Sequence, residues 1–137
     1  MKECKAWLSE RVSLVVKSGG KVSHFSERGV KTLYGLCAEG QLKDSVVADR
    51  VVGRAAALLM VYGGVREAYA AILSARAVDV LQRGGVSFDY GTIVDHIVNR
   101  TGEDECPMEK LCKNVADPKE AYRLIGDKLR ELQSSSE

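Results

Sequence analysis

Cys106 is the residue of this chain best suited to nucleophilic chemistry. It directly precedes Pro107, and because proline is favoured at the first position of a helix, the thiol is predicted at a helix N-terminus. That position favours the reactive thiolate, whereas Glu109 and the acidic residues 103–105 oppose it. The corresponding enzyme would use Cys106 as nucleophile, with Asp49 or Glu109 as its acid–base partner. A thiol that caps the helix or lies buried is the alternative interpretation.

The two histidines add one candidate pair to this chemistry. His96 lies ten residues before Cys106, and a neighbouring histidine could serve as the base for a cysteine nucleophile. His24 falls in a predicted strand, where we expect a structural role. No two cysteines have the CxxC spacing of a metal or redox site, so we expect free thiols, no metal and no cofactor. The cysteines are Cys4, Cys37, Cys106 and Cys112.

Length and charge place these residues in one small domain. With 137 residues, the chain can form a single core, so we expect one domain over residues 1–133 and a disordered tail over 134–137.

Residues 1–10 are charged and lack the apolar run of a signal peptide, which predicts a cytoplasmic protein. Twenty basic against nineteen acidic residues argue against a nucleic-acid binder. The arginines that would favour nucleic acid, if they shared one face, are Arg50, Arg54, Arg66 and Arg76.

The most apolar stretch, residues 45–64, predicts a buried central helix. Asp44 or Ser45 is suited to cap its first turn, and two glycines at its end suit a left-handed C-cap. Gly53, in the middle, costs roughly 1 kcal/mol relative to alanine, which indicates a close approach there by a strand or a ligand. The stretch is too short and too interrupted to span a membrane, which takes about 20 apolar residues.

The remaining elements alternate between strands and helices. Strands joined through helices favour parallel pairing, so we predict an α/β fold, a three-layer α/β/α domain with one mixed sheet of about four or five strands. Predicted strands cover residues 12–17, 21–25, 67–73 and 86–90. Predicted helices cover residues 4–10, 30–38 and 93–98, and an extended run is the alternative for residues 93–98. Three more helices are predicted: the first is capped by Ser74, the second begins at residue 106 and the third begins with residues 117–120. Residues 101–105 are predicted to form an acidic loop.

Two motif blocks resemble those of a known family. They are ADRVVGRAAALL at residues 48–59 and CPMEK at residues 106–110, within a similarity that runs from about residue 12 to residue 117. On these blocks the chain resembles the DUF1893, or TM1506-like, family of uncharacterised prokaryotic proteins. The resemblance implies a fold like that of cytidine deaminases, whose order of elements agrees with the predicted one.

Zinc-dependent deaminases carry two motifs that can be compared with this sequence. They need a His or Cys ligand and a glutamate (H-A-E) where the central helix starts, and two cysteine ligands (P-C-x-x-C) where the next helix starts. The resemblance places the first motif in residues 47–51, which read VADRV, and the second in residues 74–78, which read SARAV. Because Asp49 alone cannot replace three ligands and a base, we expect no zinc-dependent deamination.

The deaminase-like fold also implies a cleft where the starts of those two helices converge. Helix N-termini bind anions, so the leading hypothesis is a non-catalytic domain that binds a small metabolite or nucleotide there. The alternatives are an enzyme that depends on Cys106, with Asp49 or Glu109, and a homo-oligomeric interaction module without a ligand. Helix capping and solvated surface charge are the other explanation for the residues that would bind this ligand. The candidate ligand-binding residues are Ser45, Asp49, Arg50, Gly53, Ser74, Arg76 and Lys110.

Overall fold

The structure, a computed structural model, describes residues 6, 8–9, 11–26, 30–98 and 106–135. A hairpin comes first, and helices then alternate with further strands. The strands are β1 (Leu14–Ser18), β2 (Lys21–Phe25), β3 (Val46–Val52), β4 (Glu67–Ser74) and β5 (Ser87–Val94). The helices are α1 (Lys31–Ala38), α2 (Arg54–Gly63), α3 (Ala75–Arg83), α4 (Pro107–Cys112) and α5 (Pro118–Ser135). Among the described residues, no helix is long and apolar enough to cross a membrane.

The five strands form one mixed sheet in the order β2-β1-β3-β4-β5. Strand β1 pairs antiparallel with both β2 and β3, whereas β3, β4 and β5 are parallel. Helix α2 connects β3 to β4, and α3 connects β4 to β5, which are the crossover connections that parallel neighbours require. The predicted α/β class with a mixed sheet is confirmed, and the arrangement is consistent with three layers.

The main hydrophobic core lies between the sheet and the helices. Helix α2 is at its centre, because residues 55–60 are all buried and the helix contacts α1, α3, α4 and α5. Successive side chains of a strand face opposite sides of a sheet, so Leu14 and Val16 join the main core while Val15 faces away from it. The smaller core on that other side comprises Val15, Val46, Ala48 and Tyr69, with Leu8 and Val12 packed against it.

The predicted helix over residues 45–64 is wrong in its first half. Residues Val46–Val52 form strand β3, and α2 begins only at Arg54. The β-branched valines favour a strand. Most of β3 is buried, and periodicity cannot distinguish a short, largely apolar strand from a buried helix. The start of the central helix therefore lies several residues later than predicted.

The caps of α2 change with its boundary. The N-cap is Gly53 and not Asp44 or Ser45; Asp44 lies in the turn before β3 with a φ of 56°. The predicted left-handed C-cap is confirmed at Gly64, whose φ is 87°. A glycine N-cap has no side chain with which to accept the first N–H groups of the helix, so another group must do so.

Strand β5 is longer than predicted. It runs to Val94, so the predicted helix over residues 93–98 is wrong at its start, and the extended alternative is correct there. Gly91 lies within the strand, where a Cβ would be 2.9 Å from the Ala71 carbonyl oxygen of β4. A glycine inside a strand commonly marks such a close backbone approach rather than an end of the strand.

The other described elements lie within a few residues of their predicted positions. Ser74 caps α3 as predicted, with its Oγ accepting the Arg76 N–H at 3.2 Å. At the start of α5, the carboxylate of Asp117 accepts the Lys119 N–H at 3.1 Å. Helix α5 continues through Ser135, two residues into the predicted tail. The predicted helix 4–10 lies mostly outside the described residues, and the predicted loop 101–105 lies entirely outside them.

Candidate functional site

The carboxylate of Glu109 is the centre of a buried polar site. Glu109 lies on α4 and is only 1% exposed. Its Oε1 accepts the backbone N–H of Arg54 at 2.7 Å. Its Oε2 accepts the Ser74 hydroxyl at 2.9 Å and the backbone N–H of Ile97 at 2.8 Å. Three donors therefore satisfy a carboxylate that would otherwise be very unfavourable in the protein interior.

The three donors meet because each follows one of three neighbouring parallel strands. Arg54 comes two residues after β3, Ser74 is the last residue of β4, and Ile97 comes three residues after β5. The C-terminal ends of parallel strands lie along the same edge of a sheet, which is where ligands bind in open α/β proteins. The site therefore lies at the position in this fold where a functional site is expected.

Gly53 lets Glu109 approach the start of α2. A Cβ at Gly53 would lie 2.9 Å from Glu109 Oε1 and 3.1 Å from its Cδ. These distances are too short for ordinary contacts, so a side chain at position 53 would displace the carboxylate. The sequence predicts a close approach at Gly53, and the group that approaches is Glu109. This carboxylate also supplies the N-cap that Gly53 lacks.

The side chain of Arg54 ties the elements around the site together. Its Nε donates to the Val115 carbonyl oxygen at 2.9 Å. Its Nη1 donates to the Arg76 carbonyl oxygen at 2.7 Å and to Asp79 Oδ1 at 2.9 Å. The side chain is 9% exposed, against 47% for that of Asp79. One guanidinium therefore holds α2, α3 and the segment after α4 at fixed positions around the Glu109 carboxylate.

The Cys112 thiol is close enough to these two charges to be affected by both. It is fully buried on α4, and burial raises its pKa to about 11. The Arg54 guanidinium lowers this pKa and the Glu109 carboxylate raises it, but both effects are smaller than that of burial. Burial alone also raises the pKa of Cys37 to about 11. Both thiols therefore remain protonated near neutral pH and act as apolar core groups.

Cys106 takes part in the site through its backbone. Its N–H donates to the Ile97 carbonyl oxygen at 2.9 Å, which holds the Ile97 amide near Glu109. The side chain is half-buried at the N-cap of α4 and packs against the main core. Nδ1 of His96 lies 3.1 Å from Asp95 Oδ2. Within the described part of the chain, no hydrogen bond links the Cys106 thiol to His96, so the candidate pair is not assembled here.

Asp49 lies in the middle of β3, away from the start of α2. It is paired in the sheet with Leu14 and Ala70, both in the main core. Burial raises the pKa of Asp49 to about 7, and hydrogen bonds from the backbone N–H groups of Val51 and Arg50 oppose this rise. Asp49 is thus a carboxyl within the sheet and makes no hydrogen bond with the Glu109 carboxylate.

Two other predicted ligand-binding residues also lie away from Glu109. Ser45 precedes β3, at the end of the strand opposite Gly53, and its buried hydroxyl donates to the Leu42 carbonyl oxygen at 2.6 Å. Arg50 lies within β3, where its backbone N–H donates to the Ser13 carbonyl oxygen at 3.0 Å. Both residues would lie at the cleft only if residues 45–64 formed one helix, and the strand β3 places them elsewhere.

The other predicted residues do come together. Gly53 and Ser74 contact the Glu109 carboxylate directly, and Arg76 contributes its carbonyl oxygen to Arg54. Lys110, next to Glu109 on α4, is exposed. Sequence reasoning missed Arg54 and Ile97 as donors. A helix boundary placed at Gly53 would have indicated Arg54, whereas nothing in the sequence marks Ile97.

A cavity of about 130 Å³ opens beside the same arginine. Glu109 is not among the residues that line it, so the cavity and the carboxylate site are separate. Within the described ranges, no three His, Cys, Asp or Glu side chains are grouped so that they could hold a metal ion. The cavity is lined by Arg54, Val61, Asp79, Val80, Arg83, Gly84, Ala116 and Pro118.

One protein-family model matches a stretch of the chain that includes both motif blocks. A family model described as TM1506, a domain of unknown function (DUF1893), matches residues 4–129. The crystal structure of a DUF1893 family protein (TM1506) from Thermotoga maritima is similar, with a TM-score of 0.79 and 29% sequence identity. The similarity covers 85% of this chain and 80% of that chain. No functionally curated protein matches the chain.

Proposed function

This chain belongs to the DUF1893 family of domains of unknown function, and we propose that it binds a small anionic metabolite, such as a nucleotide. The proposed site lies where β3, β4 and β5 end. The observation that carries the proposal is the convergence of the Arg54 N–H, the Ile97 N–H and the Ser74 hydroxyl on one buried carboxylate. Donors that converge in this way form an anion site. The Glu109 carboxylate here stands in for the anionic group of the ligand.

The electrostatics of two helices support this proposal. Helices α2 and α3 both begin at the site, one just after Gly53 and the other just after Ser74. Each helix N-terminus carries a partial positive charge of roughly half an elementary charge. Hydrogen bonds to an ionised acceptor are also stronger than those between neutral groups, and more so away from water. The site is therefore built to stabilise one negative charge.

The chemistry of the site favours binding over catalysis. Its donors are two backbone amides and one hydroxyl, and the carboxylate of Glu109 accepts hydrogen bonds from all three. Cys106 contributes a backbone N–H, and its side chain packs against the core. We therefore rank an enzyme that depends on Cys106 second.

A deaminase-like fold is part of the proposal. The hairpin followed by alternating helices and parallel strands, with a site where two helices start, agrees with the plan of cytidine deaminases. On that comparison the first zinc motif would align with residues 53–55, which read GRA, rather than with residues 47–51. Residues 53–55 also lack a His, Cys or Glu. In this proposal, hydrogen-bond donors replace the metal ligands at the two helix starts, so the site takes an anion rather than an activated water.

Calorimetric titration tests the proposed function. The full chain and its Glu109→Ala variant would be titrated with nucleotides, sugar phosphates and organic acids. At least one anionic compound should bind with one-to-one stoichiometry, and Ser74→Ala should weaken its affinity several-fold because the variant lacks one donor. Ser87→Ala, at the exposed start of β5, is the matched control and should bind normally. If no anionic compound binds either protein, the proposal is wrong.

A further inference from the structure

The arrangement of donors around Glu109 points to one class of anion. We propose that the anchoring group of the ligand is a carboxylate, and that the Glu109 side chain is an intramolecular competitor for its site. This inference rests on the function proposed above and narrows the ligand from anions in general to compounds that carry a carboxylate, which excludes nucleotides because their anionic groups are phosphates.

The number of donors matches a group with two oxygens. The Arg54 N–H binds one oxygen, while the Ser74 hydroxyl and the Ile97 N–H bind the other. Both oxygens of the carboxylate are thereby satisfied in a site that is almost completely closed to water. A phosphate or sulfate would bring at least one more charged oxygen, and these three donors would leave it without a partner. Burial of an ionised oxygen without a partner is strongly unfavourable.

The space around the carboxylate is equally restricted. The Gly53 Cβ position would lie 2.9 Å from Glu109 Oε1 and 3.2 Å from Ile97 Cγ1. The backbone of Gly53 therefore lies close to the planar group on one side, and the Ile97 side chain lies close to the same Gly53 position. A tetrahedral anion would bring an additional oxygen into this restricted space. The close approach at Gly53 favours the flat shape of a carboxylate for the same reason that position 53 favours glycine.

The donors are held in place by contacts that do not involve Glu109. The Arg54 guanidinium binds the Val115 and Arg76 carbonyl oxygens and the Asp79 carboxylate, which positions the Arg54 N–H at the start of α2. The Ile97 carbonyl oxygen accepts the Cys106 N–H at 2.9 Å. The site therefore keeps its form when another carboxylate replaces that of Glu109, as pre-organised binding requires.

Glu109 is carried on an element that depends on its neighbours. Helix α4 has 6 residues, and helices this short have little stability of their own. Met108 and Cys112 anchor it in the main core. A ligand carboxylate would offer the three donors the same hydrogen bonds that Glu109 does, so the exchange leaves their number unchanged. Competition between the two carboxylates is therefore a property of the site.

Chemical rescue of Glu109→Ala tests this inference. Truncation leaves three donors without an acceptor, so the thermal midpoint of the variant should fall by several degrees. Formate or acetate should restore at least half of the loss, with saturation, whereas sodium chloride, phosphate and sulfate at equal ionic strength should not. Adding Ser74→Ala should raise the concentration needed for rescue several-fold. Glu39→Ala, at an exposed position after α1, is the control and should show no specific response to carboxylates.

The outcomes separate this inference from the proposed function. Rescue by phosphate but not by carboxylates would overturn the carboxylate assignment and leave the anion site intact. Rescue by neither would overturn both. If Glu109→Ala does not fold, the isosteric Glu109→Gln variant replaces it, because its amide group binds the three donors less well. Acetate should then produce saturable changes in the amide resonances of Arg54 and Ile97; an absence of such changes in the folded variant would overturn the inference.

Discussion

The Glu109 carboxylate caps the helix that begins at Arg54, although the two residues are 55 positions apart in the chain. The N-cap residue of that helix is Gly53, which has no side chain and accommodates the carboxylate in the vacant space. A distant residue has therefore taken over a task that the local residue usually performs. As a result, the motif blocks at residues 48–59 and 106–110 form one site and not two.

The first prediction concerns the close approach at Gly53. Gly53→Ala should lower the free energy of unfolding by about 1–3 kcal/mol, because its Cβ would collide with the Glu109 carboxylate. The backbone at Gly53 is extended, with a φ of −94°, so the conformation itself suits alanine. Urea unfolding monitored by circular dichroism measures the change.

Gly35→Ala is the matched control for this prediction. Gly35 lies within α1, and nothing lies within 4 Å of its Cβ position, so alanine should stabilise the helix by up to about 1 kcal/mol. A double-mutant cycle then identifies the group with which the new Cβ collides. Gly53→Ala should lower the free energy of unfolding much less in a Glu109→Ala background than in the wild type. A cost that is unchanged in that background would show that Glu109 is not the group displaced.

The second prediction concerns the guanidinium of Arg54. Arg54→Lys keeps the charge but cannot reach the Val115 and Arg76 carbonyl oxygens together with Asp79. We expect a loss of about 2–3 kcal/mol in the free energy of unfolding, because buried hydrogen bonds from a charged donor are lost. Arg123→Lys, which alters an exposed ion pair with Glu120, should have a much smaller effect. If the two substitutions lowered the free energy of unfolding equally, the hydrogen bonds of the Arg54 guanidinium would not hold these elements together.

The third prediction is a pH dependence that arises from Asp49. In the unfolded chain this carboxyl loses its proton near pH 3.8, whereas in the folded protein burial raises its pKa to about 7. The unfolded state therefore binds fewer protons between these values, so folding becomes less favourable as pH rises through that interval. Asp49→Asn removes this effect.

Urea unfolding at a series of pH values checks the Asp49 prediction. The free energy of unfolding of Asp49→Asn, relative to that of the wild type, should rise between about pH 4 and about pH 7 and then stay constant. Using the difference between two proteins removes the contribution of the groups that they share. A difference that does not change with pH would mean that the Asp49 carboxyl is not desolvated in the folded protein.

The fourth prediction concerns thiol reactivity. Burial raises the pKa of both Cys37 and Cys112 to about 11, and the thiolate is the form that reacts. Neither should be alkylated by iodoacetamide in the folded protein near pH 8, and both should react once urea unfolds it. Mass spectrometry of peptides from the two samples gives the result. Rapid alkylation of Cys112 in the folded protein would show that α4 opens readily.

Much of the fold follows from local sequence signals. Glycines after β1, Ser74 before α3 and Asp117 before α5 act through short-range chemistry, so their elements were predicted within a few residues. Residues 45–64 were not, because a short, largely buried strand and a buried helix have a similar apolar composition. The valines before Gly53 favour a strand and the alanines after it favour a helix, so this change in composition indicates the boundary between β3 and α2.

The site was less predictable than the fold because its contacts join distant parts of the chain. Ser74 and Gly53 could be nominated from their places near helix starts. The role of Glu109 could not, since a glutamate in the first turn of a short helix usually caps its own helix or faces solvent. Ile97 contributes a backbone N–H, and a backbone donor is independent of residue type. Only the three-dimensional structure brings these groups together.

A crystal structure of Glu109→Ala grown in formate would show directly whether the three donors around Glu109 bind an anion. We expect a formate ion whose oxygens accept hydrogen bonds from the Arg54 N–H, the Ile97 N–H and the Ser74 hydroxyl, with α2 and α3 unmoved. A site that has collapsed, or that holds only water at high formate concentration, would show that these donors do not form an anion site.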